Sequence, residues 1–239
     1  MLTPFSRSGA YYDAIYATKK NYAAEANQLN KLILRYKKSR GSTLLDVACG
    51  TGMHISFLRR RFEVEGLDLD PKLLYIARKR NPRVRFHQGD MTKFNLGKQF
   101  DVITCLFSAI GYVRTLQRLR GTIRCMARNL KPGGVLTVEP WLTPEKFKPG
   151  LVSALHVDQP RLKISRMNRT IVKGRLSFTD FHYLIGTPER IEYFTEDHTL
   201  GLFTHNEYLK AFRDSELDVI YQPKGLMGRG LYIGLKSLA

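Results

Sequence analysis

Apolar residues recur at helical spacing between residues 19 and 38 (Tyr22, Ala26, Leu29, Leu32, Ile33, Tyr36), with lysines and arginines on the other face. That spacing predicts an amphipathic helix, closed by Gly41-Ser42. A short apolar run at 43–47 then reads as a buried strand, and residues 52–60 as a helix. Beyond it, strands are expected at 63–68 and 84–87, with a helix at 71–80 between them. Asp70-Pro71 is the start signal of that helix, a capping side chain followed by proline at the first helical position. A strand at 100–105, a helix at 116–130, a turn at Lys131-Pro132-Gly133-Gly134 and a strand at 134–139 continue the alternation. Strands alternating with helices of this length call for a parallel sheet with right-handed crossovers, the doubly wound α/β class.

The texture changes after Trp141. Residues 151–200 alternate instead (Ile164, Arg166, Asn168, Thr170, Val172), with turn signals at Lys173-Gly174 and Gly186-Thr187-Pro188, which predicts an antiparallel meander. Thr204-x-x-Glu207 is a capping box opening a helix to about residue 215. Strands at 217–221 and 231–235 close the chain. The expected organisation is a core of residues 1–140 and 201–239, interrupted by an antiparallel β insertion at 141–200.

The 239 residues suffice for one well-filled core with a small lobe. No apolar run is long enough to span a bilayer, and the first residues lack a signal-peptide layout, so a cytoplasmic protein is expected. Three cysteines, Cys49, Cys105 and Cys125, lack the spacing of a disulfide framework or a zinc site; no metal is expected. The unusual quantity is charge. Lys and Arg number 39 against 21 Asp and Glu, a net +18, which concentrates anions such as nucleic acid, membrane surfaces or phosphorylated metabolites.

The run 44–52, Leu-Leu-Asp-Val-Ala-Cys-Gly-Thr-Gly, carries a first strand into a glycine turn and then a helix. Gly50 and Gly52 allow a tight turn and a close ligand approach at the carboxyl end of the sheet. Asp68 ends the second strand, where a carboxylate can take both hydroxyls of a ribose. Asp90 follows the third, where it can accept from an adenine amino group while Met91 packs on the ring. These acids suit any adenosine-bearing cofactor. A dinucleotide fingerprint needs a third glycine for its pyrophosphate, and the position holds Ile55. Asp46, just before the loop, can anchor the turn or meet an ammonium. The expected cofactor is therefore S-adenosylmethionine.

Further segments carry a wider pattern: Tyr12-Asp13-x-x-Tyr16, Tyr22-Ala23-Ala24-Glu25-Ala26, His87-Gln88-Gly89-Asp90-Met91, Phe107-Ser108-x-x-Gly111-Tyr112, Glu139-Pro140-Trp141 and Gly228-Arg229-Gly230-Leu231. On these the chain resembles the class I S-adenosylmethionine-dependent methyltransferases. More narrowly, it resembles the nucleotide-sugar N,N-dimethyltransferases that finish desosamine- and mycaminose-type amino sugars. The resemblance implies a Rossmann-like seven-stranded, mostly parallel sheet with an inserted antiparallel lobe for substrate binding and dimer contacts. It also implies a nucleotide-sugar acceptor and a homodimer, and it carries Ala48, Leu69 and Leu106 into the cofactor pocket.

Methyl transfer is an in-line displacement at an already activated carbon, so positioning a neutral amine and excluding water are the protein's main tasks. A free alkylammonium is inert near neutral pH, so a base or desolvation is useful. Tyr16 and Tyr112 are the candidates for holding the amine, and their rings attract the donor cation and the methylated product. Glu139 and Trp141 are assigned to the sugar, and Arg229, between two glycines, to the pyrophosphate. An RNA methyltransferase is the competing reading. Against it stand Cys105-Leu106-Phe107-Ser108, where base-amino methylation calls for Asn/Asp-Pro-Pro-aromatic, and the dispersal of the basic residues. A non-catalytic module that merely binds the cofactor is the third reading.

Overall fold

The computed structural model describes residues 5–17 and 19–238. A turn of 3-10 helix at Ser8–Tyr11 leads into α1 (Tyr12–Ala17), a short element the hydrophobic spacing does not announce. Helix α2 (Tyr22–Tyr36) starts three residues later than its apolar spacing predicts. The reason is Asn21, whose side chain accepts from the Ala24 amide at 3.0 Å and fixes the start. Then follow β1 (Thr43–Val47), α3 (Met53–Leu58), β2 (Glu63–Asp68), α4 (Pro71–Arg80), β3 (Arg85–Gln88) and β4 (Phe100–Cys105). Helix α5 (Leu116–Arg128), strand β5 (Leu130–Val138), and, after the inserted strands, α6 (His205–Arg213) complete the alternation. Asp70 caps α4 with Pro71 behind it, and Thr204 with Glu207 forms the capping box of α6.

The insertion consists of β6 (Val152–Gln159), β7 (Leu162–Lys173), β8 (Leu176–Gly186) and β9 (Ile191–Gly201), paired in chain order as an antiparallel meander. With β10 (Leu217–Gln222) and β11 (Leu231–Lys236), the main sheet has seven strands in the order β10-β11-β5-β4-β1-β2-β3. Only β11 runs against its neighbours. Helices cover both faces, so the central strands are buried on both sides; every residue of β4 is buried. Leu45, Ile103 and Leu136 face α5 and α6, while Leu44, Val102 and Val135 face α2, α3 and α4.

One boundary differs in kind from its expectation. Lys131-Pro132-Gly133-Gly134 lies inside β5 and is not a turn preceding it. The register against β4 shifts between Phe100 and Val102, which gives this segment room as an irregularity within the strand. Two attachments hold it there: the Gly133 carbonyl accepts from the Ser39 amide at 2.8 Å, and Lys131 reaches Asp101 at 2.9 Å.

The lobe has its own small core of Leu155, Val157, Ile164, Tyr183, Ile185 and Phe194, against which Ile15 of α1 packs. A second contact lies at the turn after β4. A Cβ on Gly111 would sit 2.8 Å from Leu200 and 3.1 Å from Trp141, so only glycine permits this approach.

Asp101 ties the amino end of β1 to β4. Its carboxylate accepts from the Gly41 amide at 3.1 Å, the Thr43 amide at 3.0 Å, the Thr43 hydroxyl at 2.6 Å and Lys131 at 2.9 Å. Burial alone would raise its carboxyl, but the bonds from Thr43 and Lys131 override burial and hold it well below the usual carboxylate range. Asp101→Ala is expected to cost about 3 kcal/mol, read as a lower denaturation midpoint. Because the folded carboxyl is the more acidic, the deficit is full above about pH 4 and shrinks as acid protonates the unfolded chain's carboxyl. A variant of unchanged stability at neutral pH would remove Asp101 from this role.

Candidate functional site

Four parallel strands deliver their carboxyl ends to one edge of the sheet, and the predicted cofactor residues lie along it. Past β1 the chain turns through three left-handed residues, Ala48 (φ 58), Gly50 (φ 55) and Gly52 (φ 72). Gly52 also packs tightly, since a Cβ there would meet the Asn81 amide nitrogen at 3.0 Å and the Ala77 methyl at 3.2 Å. Asp68 latches this loop. One carboxylate oxygen accepts from the Gly50 amide at 2.7 Å and the other from the Asp70 amide at 2.9 Å. Burial raises the Asp68 carboxyl, and those two amides work against the rise. Further along the edge, Leu69 is exposed, Met91 packs against the core, and Asp90 accepts from the Thr92 amide at 2.9 Å.

Beneath the loop is a cavity lined by Asp46, Tyr12, Ala48, His54, Leu106 and Phe107, among others. Asp46 is 2% exposed, and one oxygen accepts from Thr104 of β4 at 2.7 Å, a pairing fixed by the β1–β4 register. Burial pushes its carboxyl up to about 6, against smaller opposing effects of His54 and Thr104. A cation in this cavity would restore its ionised form. The neighbouring wall carries an ion cluster: Glu25 accepts from Lys20 at 2.7 Å and lies 2.9 Å from His54. Burial pushes the Lys20 ammonium down, and Glu25 resists the shift.

Above the cavity stands a row of rings. Tyr12 and Tyr16 are 4.7 Å apart between centroids, and Tyr16 meets Phe107 edge-on at 5.0 Å. Two cations stand against the row. Lys20 lies 3.9 Å over Phe107, and Arg229 lies 4.9 Å over Trp141 and 5.5 Å over Phe107. Arg229 also donates to the Ser108 hydroxyl at 2.8 Å, so it is built into the crevice and is no solvated turn residue. Phe107 (φ 51) and Ser108 (φ 62) are held in left-handed backbone, a strain characteristic of functional sites. Glu139 fixes that turn by accepting from the Phe107 amide at 2.7 Å, while its other oxygen is buried without a hydrogen-bond partner among the described residues. Burial raises the Glu139 carboxyl, partly offset by Lys20.

The structure thus gathers Asp46, Ala48, Gly50 and Leu106 around the cavity, and Tyr16, Glu139, Trp141 and Arg229 around Phe107. Tyr112 is directed to the lobe, its hydroxyl 2.6 Å from Nδ1 of His198 on β9. Trp141 also reaches the lobe, donating to Ser177 at 3.0 Å. Phe107, Lys20, His54, Arg166 and His198 are the site residues that sequence reasoning missed. A signal existed for two of them. On β7 and β9 the buried positions alternate, and Arg166, Glu196 and His198 occupy the inward parity otherwise held by Ile164, Phe194 and Leu200. A buried charge on an apolar face is informative in itself.

Residues 44–134 match the family model of a methyltransferase domain. Along almost its whole length the chain is similar to dTDP-3-amino-3,6-dideoxy-alpha-D-glucopyranose N,N-dimethyltransferase of Streptomyces fradiae, with 40% identity over 94% of this chain and 89% of the relative. Among solved structures it is similar to Streptomyces venezuelae DesVI (TM-score 0.90, 37% identity, 95% of this chain and 97% of that one). It is also similar to S-adenosylmethionine-bound CalS10, an amino pentose methyltransferase from Micromonospora echinaspora (TM-score 0.87, 36% identity, 95% and 97% covered). With the carboxylate-bearing cavity at the tip of a seven-stranded sheet, these likenesses establish that the chain belongs to the S-adenosylmethionine-dependent sugar N-methyltransferases.

Proposed function

We propose that this enzyme methylates the amino group of a nucleotide-linked amino sugar. The observation that carries the reading is the division made by the row Tyr12, Tyr16 and Phe107. On one side lies a cavity bearing a carboxylate, and against Phe107 and Trp141 stands the Arg229 guanidinium. A sulfonium matches the first and a diphosphate the second.

The residues fit the donor. Asp46 is a buried acid facing the cavity, and aromatic rings line the same cavity. When bound, S-adenosylmethionine supplies a methyl carbon activated by positive sulfur. In this reading Asp46, Ala48, Gly50, Gly52 and Leu106 seat its methionyl end, Asp68 and Leu69 its ribose, and Asp90 and Met91 its adenine. Tyr16 orients the amine, and the free oxygen of Glu139 takes a polar hydrogen of the sugar. Trp141 forms the floor, and Arg229 meets the diphosphate. The wall of rings excludes water, leaving positioning as the main source of rate.

We further infer a cytoplasmic homodimer. The three cysteines are free thiols, as in a reducing compartment. The lobe turns Val152, Met167, Leu184 and Tyr193 to its open side, an apolar face suited to a second copy.

The function is tested by incubating the protein and S-adenosylmethionine with a dTDP-amino sugar, the unlinked amino sugar, and tRNA, and reading products by mass. Methylation of the first alone is expected; methylated tRNA with an untouched nucleotide sugar would overturn the reading. The donor cation favours ionised Asp46, so donor affinity should fall as pH drops below about 6, by up to roughly tenfold per unit. Asp46→Asn should remove that dependence and weaken binding at least about tenfold near pH 8; a variant with wild-type calorimetry excludes the pairing. Arg229→Ala should raise the acceptor KM about tenfold or more at low salt, and less at high salt. An unchanged KM would return Arg229 to a packing role. Sedimentation of Met167→Glu/Tyr193→Glu should show a monomer; a persisting dimer would mean another face is used.

A further inference from the structure

The acceptor amine needs to lose a proton, and Tyr112 by itself is no base. Burial pushes its phenol far above the ordinary tyrosine range. Its hydroxyl nevertheless makes one of the shortest side-chain contacts of the site, 2.6 Å to Nδ1 of His198. His198 is 4% exposed and stands on the inward face of β9 between Phe5, at 4.8 Å, and Phe181, at 5.0 Å, both edge-on. Its other ring nitrogen lies 3.9 Å from Oε2 of Glu196. Both of those atoms are buried and lack a hydrogen-bond partner among the described residues. Glu196 is itself anchored, because its second oxygen accepts from the amides of Arg7 at 2.7 Å and Ser8 at 3.0 Å. Burial would raise its carboxyl, but His198 and Ser8 outweigh burial and keep it ionised.

We propose that Tyr112, His198 and Glu196 form a proton relay that neutralises the acceptor amine, an inference that rests on the amino-sugar reading of this crevice. An N–H bond of the bound ammonium breaks as its proton passes to Tyr112 Oη. The tyrosine O–H breaks as that proton passes to His198 Nδ1. The amine keeps the electron pair it needs for attack, the tyrosine is neutral before and after, and the imidazole becomes imidazolium. Donation by Tyr112 to Nδ1 requires the tautomer with hydrogen on Nε2, which aims that hydrogen at Glu196. The carboxylate then stabilises the imidazolium as the orienting acid does in a catalytic triad. The proton returns to water after product release. Tyr112 supplies the contact with the amine, and His198 and Glu196 act through it as positioning residues. The charged and titratable groups around the imidazole are Tyr112 from the turn after β4, Glu196 from its own strand, and, beyond Phe181, Arg166 on β7 with Tyr183 on β8. Arg166 opposes a second positive charge nearby, so the relay empties readily once the amine has reacted.

The test is the pH profile of kcat on a dTDP-amino sugar, with saturating S-adenosylmethionine. Wild type should show an acid limb set by the imidazole, and His198→Gln should replace it with one displaced to the higher pH at which the amine itself deprotonates. At neutral pH His198→Gln should lower kcat at least about tenfold, leaving acceptor KM and donor affinity within about twofold. The gap should narrow near pH 9 as the free amine deprotonates on its own. Tyr112→Phe should lose as much, and the double variant no more than either single. An unchanged limb in His198→Gln, or losses that multiply, would overturn the relay. If a variant misfolds, nitrogen NMR of wild-type His198 decides instead: hydrogen on Nε2 supports the relay and hydrogen on Nδ1 overturns it. Wild type that methylates no amino sugar overturns the acceptor reading itself, whereas turnover with an unaltered variant profile overturns only the relay.

Discussion

The site depends on one buried carboxylate. Asp46 is the last residue but one of the first strand of a parallel sheet, buried, and it accepts a hydrogen bond from the Thr104 hydroxyl. Leaving a charge there is costly unless a cation answers it. The sheet creates this condition through register, since pairing Asp46 with Thr104 brings the acid to the tip where the glycine loop opens. Asp68 serves the same end from the next strand by fixing the loop with two backbone bonds. Its place is therefore as much in the shape of the donor pocket as in any contact with a ribose.

The doubly wound core was legible because its strands are buried on both faces and its helices on one. Runs such as 100–105 and the helical stripe of α2 carry their own periodicity. Local chemistry was legible too, in Asp70-Pro71 and Thr204-x-x-Glu207. Where reading failed, a tertiary contact overrode a local signal. Pro132-Gly133-Gly134 spells a turn, yet attachment to Ser39 and Asp101 holds it in a strand. The mouth of the site was the least legible part. Tyr112 and His198 lie 86 positions apart, and only the packing of β9 on the turn after β4 joins them.

The basic surface has two parts. Lys20, Arg166 and Arg229 are the cations turned inward, each set against an aromatic ring. Most of the remaining excess lies on outward helix faces; α4 and α5 contain no acidic residue at all. Such a field gathers anions and speeds their encounter with the site without choosing among them. Selection falls to the crevice, where a diphosphate, a sugar and an amine must be matched at once.

The most direct measurement is the carboxyl carbon NMR titration of Asp46, with and without saturating S-adenosylmethionine. A midpoint near 6 in the free protein that moves well below the ordinary carboxylate range with donor bound is the predicted result. A midpoint that stays in place when the donor binds would contradict the pairing of this carboxylate with the donor's positive charge.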